Sequence, residues 1–463
     1  MGLADPDGST DAGGHCSLYR RIFTDNIHRP RGKELTNKDG PSIRSAHADG
    51  RPGQQTAWHD GCERAGDIAG RRGWPDGVEV DHVKISGTDG RVVYATRGRT
   101  VGRWGSKRGF EPLGRLPDPH GGLRGVRYRT LNSRVTRCFL GPIVGHYTTT
   151  NVWPAGKGTL LATVGRCLFR STDGGQSWRH VHTLPAASGP MGVLPTSFCE
   201  AAGRLYLAEY TLDDRPARIL GSDDGGETWT VRVCSDEHRH FHGVFRDPYS
   251  DRVWATAGDS DAESAIGVLE DGTFRSVGRG SQRWRAVGLA FTAEAVLWGV
   301  DSSFSPTVEI LRLPRTDIGA EIPEPVTVGT TDSSVFYAES LSVDGEEWVV
   351  LTTAAETGLD SAAPPGAENR SGRRLRVLAV RAATGYETWT ELFSFVRRRT
   401  AGEYLPGVPS ASAYVFLTVA GDRVLVNPFN TARHHGTVLT TTPGERHSGG
   451  PDCRQCDDAT VVR

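Results

Sequence analysis

Residues 171–178 read STDGGQSW and residues 222–229 read SDDGGETW. Both fit Ser-x-Asp-x-Gly-x-(Ser/Thr)-Trp, with Asp173 and Asp224 placed 51 positions apart. The phrase has the chemistry of a tight hairpin. An Asp carboxylate accepts hydrogen bonds from the backbone N–H groups of its own turn, and Gly174–Gly175 and Gly225–Gly226 supply the positive φ the turn needs. Ser171, Asp173, Gly175 and Trp178 in one copy, and Ser222, Asp224, Gly226 and Trp229 in the other, are the expected framework. Each Trp opens the next strand and packs into the layer beneath. A period near 50 residues, each unit a few short strands, predicts a β-propeller with one blade per unit.

The phrase resembles the Asp-box, or BNR repeat, of the sialidase-like propellers. That resemblance implies a hairpin between the third and fourth strands of a blade, structural in role and remote from the central channel. Further phrases, LAEYTLDDRPARILGSDDGGETW, HFHGVFRDPYSDRVWATAGDSD, RGSQRWRAVGL and SSVFYAES, look like the BNR-repeat proteins labelled sialidase-like or glycosyl hydrolase in microbial genomes, and the likeness spans most of 78–440.

At 463 residues the chain has room for a large closed all-β fold. Its formal charge of −1 argues against general binding to nucleic acid or anionic membranes. Five lysines stand against 49 arginines among the 54 basic residues, leaving arginines to spare for carboxylate recognition. There is no run of 18 apolar residues and no apolar signal-peptide core near the start. The eight cysteines (16, 62, 138, 167, 199, 234, 453 and 456) are scattered, which fits a reducing compartment. Cys453 and Cys456 have CxxC spacing without a second pair. A cytoplasmic monomer is the expectation, with a carbohydrate or a protein as its partner.

Residues 1–76 and 444–463 are polar and lack an apolar pattern, so they read as disordered tails. Between them, 77–443 alternates short β-rich runs with turn signals. The blades fall at about 78–117, 138–185, 194–234, 238–279, 284–329, 333–396 and 413–442. Seven is the preferred count and six the alternative. The hairpins GSKRGF, EDGTF and YETW read as worn copies of the phrase, and the last blade is completed by a strand from the chain start.

Ligands of propellers sit at a mouth of the channel, which the innermost strands line. DEHRHFHGVFRDP is the most unusual inner-strand sequence, because His238, His240 and His242 alternate and would share one face of an extended strand. His240 and His242 are candidates to hold a divalent metal or to clamp an anionic sugar. His146, Arg285 and Tyr337 are candidate ligand-binding residues, and Glu209, Asp259 and Asp261 candidate proton carriers. Tyr210, Asp301 and Glu339 complete the polar set. Sialidase chemistry itself is not expected, since the Arg-Ile-Pro phrase of those enzymes is missing from this sequence, although Arg218, Arg239 and Arg285 could form a triad and Tyr337 with Glu339 a nucleophile pair. Two functions follow. One is an enzyme, hydrolase or lyase, acting on an acidic glycan at the channel mouth. The other is a non-enzymatic propeller that binds a protein or glycan.

Overall fold

In the computed structural model the twin phrases form hairpins with matching hydrogen bonds. Asp173 Oδ1 accepts from the Gln176 and Ser177 N–H groups at 3.0 and 2.9 Å, and Asp224 Oδ1 from those of Glu227 and Thr228 at 2.9 and 3.0 Å. The serine hydroxyl caps the other side, with Ser171 Oγ and Ser222 Oγ each accepting from a glycine N–H at 2.8 Å. Gly175 and Gly226, at φ of 96° and 87°, hold the reversal. Trp178 and Trp229 each donate from Nε1 back to a carbonyl of the turn. Both indoles are half-buried against the apolar seams, not enclosed by them.

The structure describes residues 83–119, 150–156, 158–189, 192–358, 368–369, 371–405 and 410–444. They form a seven-bladed, all-β propeller, each blade an antiparallel meander. Blade one holds β1 (Lys84–Thr88), β2 (Val93–Arg97), β3 (Thr100–Gly105) and β4 (Gly109–Arg115). Blade two holds β5 (Thr150–Pro154), β6 (Leu160–Val164), β7 (Cys167–Ser171) and β8 (Arg179–Thr183). Blade three holds β9 (Phe198–Ala201), β10 (Arg204–Ala208), β11 (Ala217–Ser222) and β12 (Thr230–Ser235). Blade four holds β13 (Phe241–Arg246), β14 (Val253–Ala257), β15 (Ala265–Glu270) and β16 (Thr273–Arg279). Blade five holds β17 (Ala290–Phe291), β18 (Ala295–Gly299), β19 (Val308–Pro314) and β20 (Val326–Thr331). Blade six holds β21 (Val335–Val343), β22 (Glu346–Thr353), β23 (Arg374–Arg381) and β24 (Thr390–Val396). Blade seven holds β25 (Tyr414–Ala420), β26 (Arg423–Phe429) and β27 (Leu439–Thr441).

The strand sequences follow from their place in the blade. Second strands such as β6, β14 and β18 are buried along their whole length, because neighbouring blades cover both faces. The outermost β8, RHVHT, is largely exposed and carries charge and imidazoles that discourage edge-to-edge pairing. In all six four-stranded blades the third and fourth strands meet with a register shift, the kind of bulge that increases local twist.

The apolar core is divided among the seams between consecutive blades. Leu161, Leu205 and Leu207 join blades two and three, and Ile219, Phe241 and Val244 join three and four. Ile85, Phe416 and Phe429 close the ring between blades one and seven. At that closure the Val83 N–H donates to Gly436 O at 3.1 Å, and any strand contributed by the chain ahead of Val83 lies outside the described residues. So do 1–76 and 445–463, where the tails were expected, and 359–367 of the insertion in blade six. No helix among the described residues is long and apolar enough to cross a membrane.

Candidate functional site

Blade four begins with a bend at Arg239, and only from Phe241 onward is the chain a strand. The alternation rule therefore does not extend to His238, and that expectation is corrected here. His238 instead lies against its own blade, where its Nδ1 pairs with Glu263 O at 2.8 Å and its ring meets Phe274 edge-on at 5.2 Å. His240 and His242 do converge. A register shift between Phe241 and Gly243 leaves His242 as the extra residue of a bulge, a feature that re-aims a side chain.

The partner carboxylate comes from the far end of β14. Gly258, at φ of 77°, turns the chain back, and its N–H donates to His240 O at 3.1 Å. A Cβ there would lie 2.1 Å from Glu263 O, so only glycine fits. This return puts Asp259 Oδ1 at 3.2 Å from His242 Nε2 and 3.4 Å from His240 Nε2, while the two Nε2 atoms stand 3.0 Å apart.

The other imidazole nitrogens fix the tautomers. His240 Nδ1 lies 3.0 Å from Thr211 O in blade three, and His242 Nδ1 lies 3.1 Å from Ala286 O in blade five. A carbonyl can only accept, so each Nδ1 carries a hydrogen, and in its neutral form each ring presents a lone pair at Nε2. Three acceptors thus converge within 4.8 Å of one another, all buried. Such a cluster is electrostatically unfavourable unless a cation, proton or metal, sits among the three atoms. Imidazoles whose second nitrogen donates to a backbone carbonyl, beside one carboxylate, are also the usual donor set for a divalent transition metal. The residues fit such an ion.

Guanidinium groups flank the cluster. Arg239 Nη1 donates to Asp259 Oδ2 at 3.0 Å, and Arg285 Nη2 stands 3.4 Å from Asp259 Oδ1 and 3.1 Å from Asp301 Oδ2. Gln282 Nε2 donates to Asp259 O at 2.9 Å. Burial disfavours an ionised Asp259, but the charge of a protonated His240 and that of Arg285 outweigh it and hold the carboxyl well below its ordinary range. Burial lowers His240 below the usual imidazole value, with Asp259 pulling the other way. Tyr210 covers one side, its ring centroid 4.2 Å from that of His240, and burial raises its hydroxyl. His240 and His242 are 0% and 2% exposed, whereas the Arg239 side chain retains 24%.

Other sequence candidates lie apart from this cluster. Glu209 is buried and gripped by Arg218 at 2.7 and 3.1 Å. Burial raises the Glu209 carboxyl, with Arg218 opposing. Asp261 is exposed in the turn after Asp259. Tyr337 packs on Phe416 at 5.7 Å in the blade six–seven seam, and among the described residues no hydrogen bond joins it to Glu339. Burial alone pushes the Glu339 carboxyl up to about 7. His146 lies outside the described residues. Gln282, the Thr211 and Ala286 carbonyls and the bulge at His242 were not anticipated, and the local sequence holds no signal for them. A polar groove of about 800 Å³, lined by residues such as Glu237, Arg275 and Arg279, opens elsewhere, beside β16, and contains none of the three converging side chains.

No family model matches the chain, and no curated protein matches it. Among solved structures it is similar to an ancestral GH74 enzyme, with 13% identity and a TM-score of 0.44, covering 79% of this chain and 46% of that one. It is also similar to an oligogalacturonate lyase in complex with manganese, with 14% identity and a TM-score of 0.40, covering 77% and 87%. A third is the Hadza microbial sialidase Hz136, with 12% identity and a TM-score of 0.37, covering 65% and 66%. The chain thus spans about half the length of the GH74 enzyme. The likeness is one of fold alone.

Proposed function

We propose that this chain is an Asp-box propeller that holds a divalent metal on His240, His242 and Asp259 and uses that centre to bind and process an acidic glycan at the channel mouth. The observation that carries the reading is the convergence of two tautomer-locked Nε2 lone pairs and one carboxylate oxygen. A bound divalent ion would supply Lewis acidity and charge to such a site. The chain's own residues do the rest. Thr211 O and Ala286 O orient the imidazoles, Arg239 and Arg285 favour an anionic ligand, and Tyr210 keeps water from the His240 side.

A second reading, a non-enzymatic scaffold, is favoured by the near-complete burial of both histidines, since a closed cluster also serves to join blades three, four and five. The full chain, stripped with chelator, separates the two in a thermal-shift panel of Mn²⁺, Co²⁺ and Zn²⁺ with and without uronate and sialic-acid oligosaccharides. A ligand at 100 times its Kd adds about 2.7 kcal/mol. The enzyme reading expects a metal shift lost in His240→Ala, followed by metal-dependent release of reducing ends or unsaturated product. Lack of any metal shift in the parent protein would refute it and leave the scaffold.

A further inference from the structure

Arg285 competes for the oxygen that a metal would need. Its Nη2 stands 3.4 Å from Asp259 Oδ1, the same atom that faces both imidazoles. Arg239 Nη1, by contrast, donates to the other oxygen, Oδ2. A second carboxylate shares the Arg285 nitrogen: Asp301 Oδ2 accepts from Nη2 at 3.1 Å, closer than Asp259. Asp301 is held where it can do this. Its own N–H donates to Arg285 O at 3.2 Å, and the preceding residue, Val300, accepts from the Val335 N–H of blade six at 3.0 Å. Arg285 and Asp301 are 5% and 6% exposed, so their charges act in a weakly screened interior.

We infer that Asp301 is a positioning residue for the cation site: it draws the Arg285 guanidinium off Asp259 Oδ1 and thereby sets the affinity of the His240–His242–Asp259 centre for a divalent ion. The inference rests on the metal reading above. With a dication on Oδ1, Arg285 keeps a carboxylate partner in Asp301, and the two positive charges are divided between two carboxylates. Without the Asp301 charge, Arg285 loses the nearer of these two carboxylates, and guanidinium and metal meet at Asp259 Oδ1. Partners of this outer kind typically change metal affinity by about 10–100-fold.

The test is calorimetric titration of Mn²⁺ into the chelator-stripped full chain, with the Co²⁺ absorption spectrum as a second readout of the ligand set. Asp301→Asn is expected to bind Mn²⁺ at least about tenfold more weakly. Asp301→Glu should recover part of the loss, and Asp301→Asn combined with Arg285→Met should recover most of it, because the competitor is gone. Arg285→Met alone should bind at least as tightly as the parent, which keeps the inference testable if Asp301→Asn fails to fold. Unchanged Mn²⁺ affinity in Asp301→Asn, or weaker binding in Arg285→Met, overturns the role of Asp301 and leaves the metal centre standing. A parent protein that binds none of Mn²⁺, Co²⁺ or Zn²⁺ overturns both.

Discussion

Asp224 and Asp259 are both ionised carboxylates with several polar partners, yet one belongs to a turn and the other to a junction of blades. Around Asp224 every bond comes from within four residues: Ser222, Glu227 and Thr228 satisfy it while it stays exposed. Around Asp259 the partners come from His240, His242, Arg239 and Arg285, up to 26 positions away, and the site is buried. The Asp224 turn would form in any blade with its sequence. The Asp259 cluster exists only when three blades have docked, and it leaves two lone pairs directed at a carboxylate. The first kind of site builds the fold, whereas the second stores an unmet demand for positive charge.

That contrast can be broken by mutation. The largest effect is expected at the junction. Asp259→Ala leaves Arg239 and Arg285 without the carboxylate they share, and removing one partner from a buried ionic set costs about 3–5 kcal/mol, read by denaturant unfolding. A loss under 1 kcal/mol would mean that water screens the cluster and that the burial argument is wrong. Trp229→Ala comes next. Its indole is half-buried and keeps one hydrogen bond to Gly226 O, so the loss should be about 1–3 kcal/mol, below the cost of deleting a fully enclosed indole such as Trp298. Equal losses at Trp229 and Trp298 would place the hairpin inside the core and dissolve the comparison.

The smallest effect is a pH dependence. Hydrogen bonds from Ser177 or Thr228, side chain first and backbone second, hold the Asp173 and Asp224 carboxyls well below their ordinary value. A carboxylate depressed in the folded state adds stability that is fully present above the unfolded value, about 3.9, and is lost as pH falls through the folded one. Replacing both residues by Asn should therefore flatten the fall in Tm below about pH 4 and leave the neutral-pH metal titration unchanged. A Tm profile parallel to that of the parent would show that these turns take no part in acid unfolding.

The hairpins also do something their sequence did not announce. Each leans on the blade before it: a Cβ at Gly114 of blade one would meet Gly175 O at 2.2 Å, and Arg170 of blade two donates to Gly225 O at 2.7 Å. The repeat thus acts as a spacer between blades as well as a turn.

By itself the sequence determined the turns and the strand runs, and it favoured seven units over six. Those features rest on bonds within four residues and on apolar runs, both of which are properties of a local segment. It also marked His240 and His242 as unusual. Only the tertiary structure decided that His238 leaves them at the Arg239 bend, that Glu209 is consumed by Arg218, and that Asp259 completes the cluster with Arg285 and Asp301 beside it. The physical reason is that a lone pair acquires its direction from the group on the far side of the ring. Here that group is the backbone carbonyl of a neighbouring blade, Thr211 O for one imidazole and Ala286 O for the other.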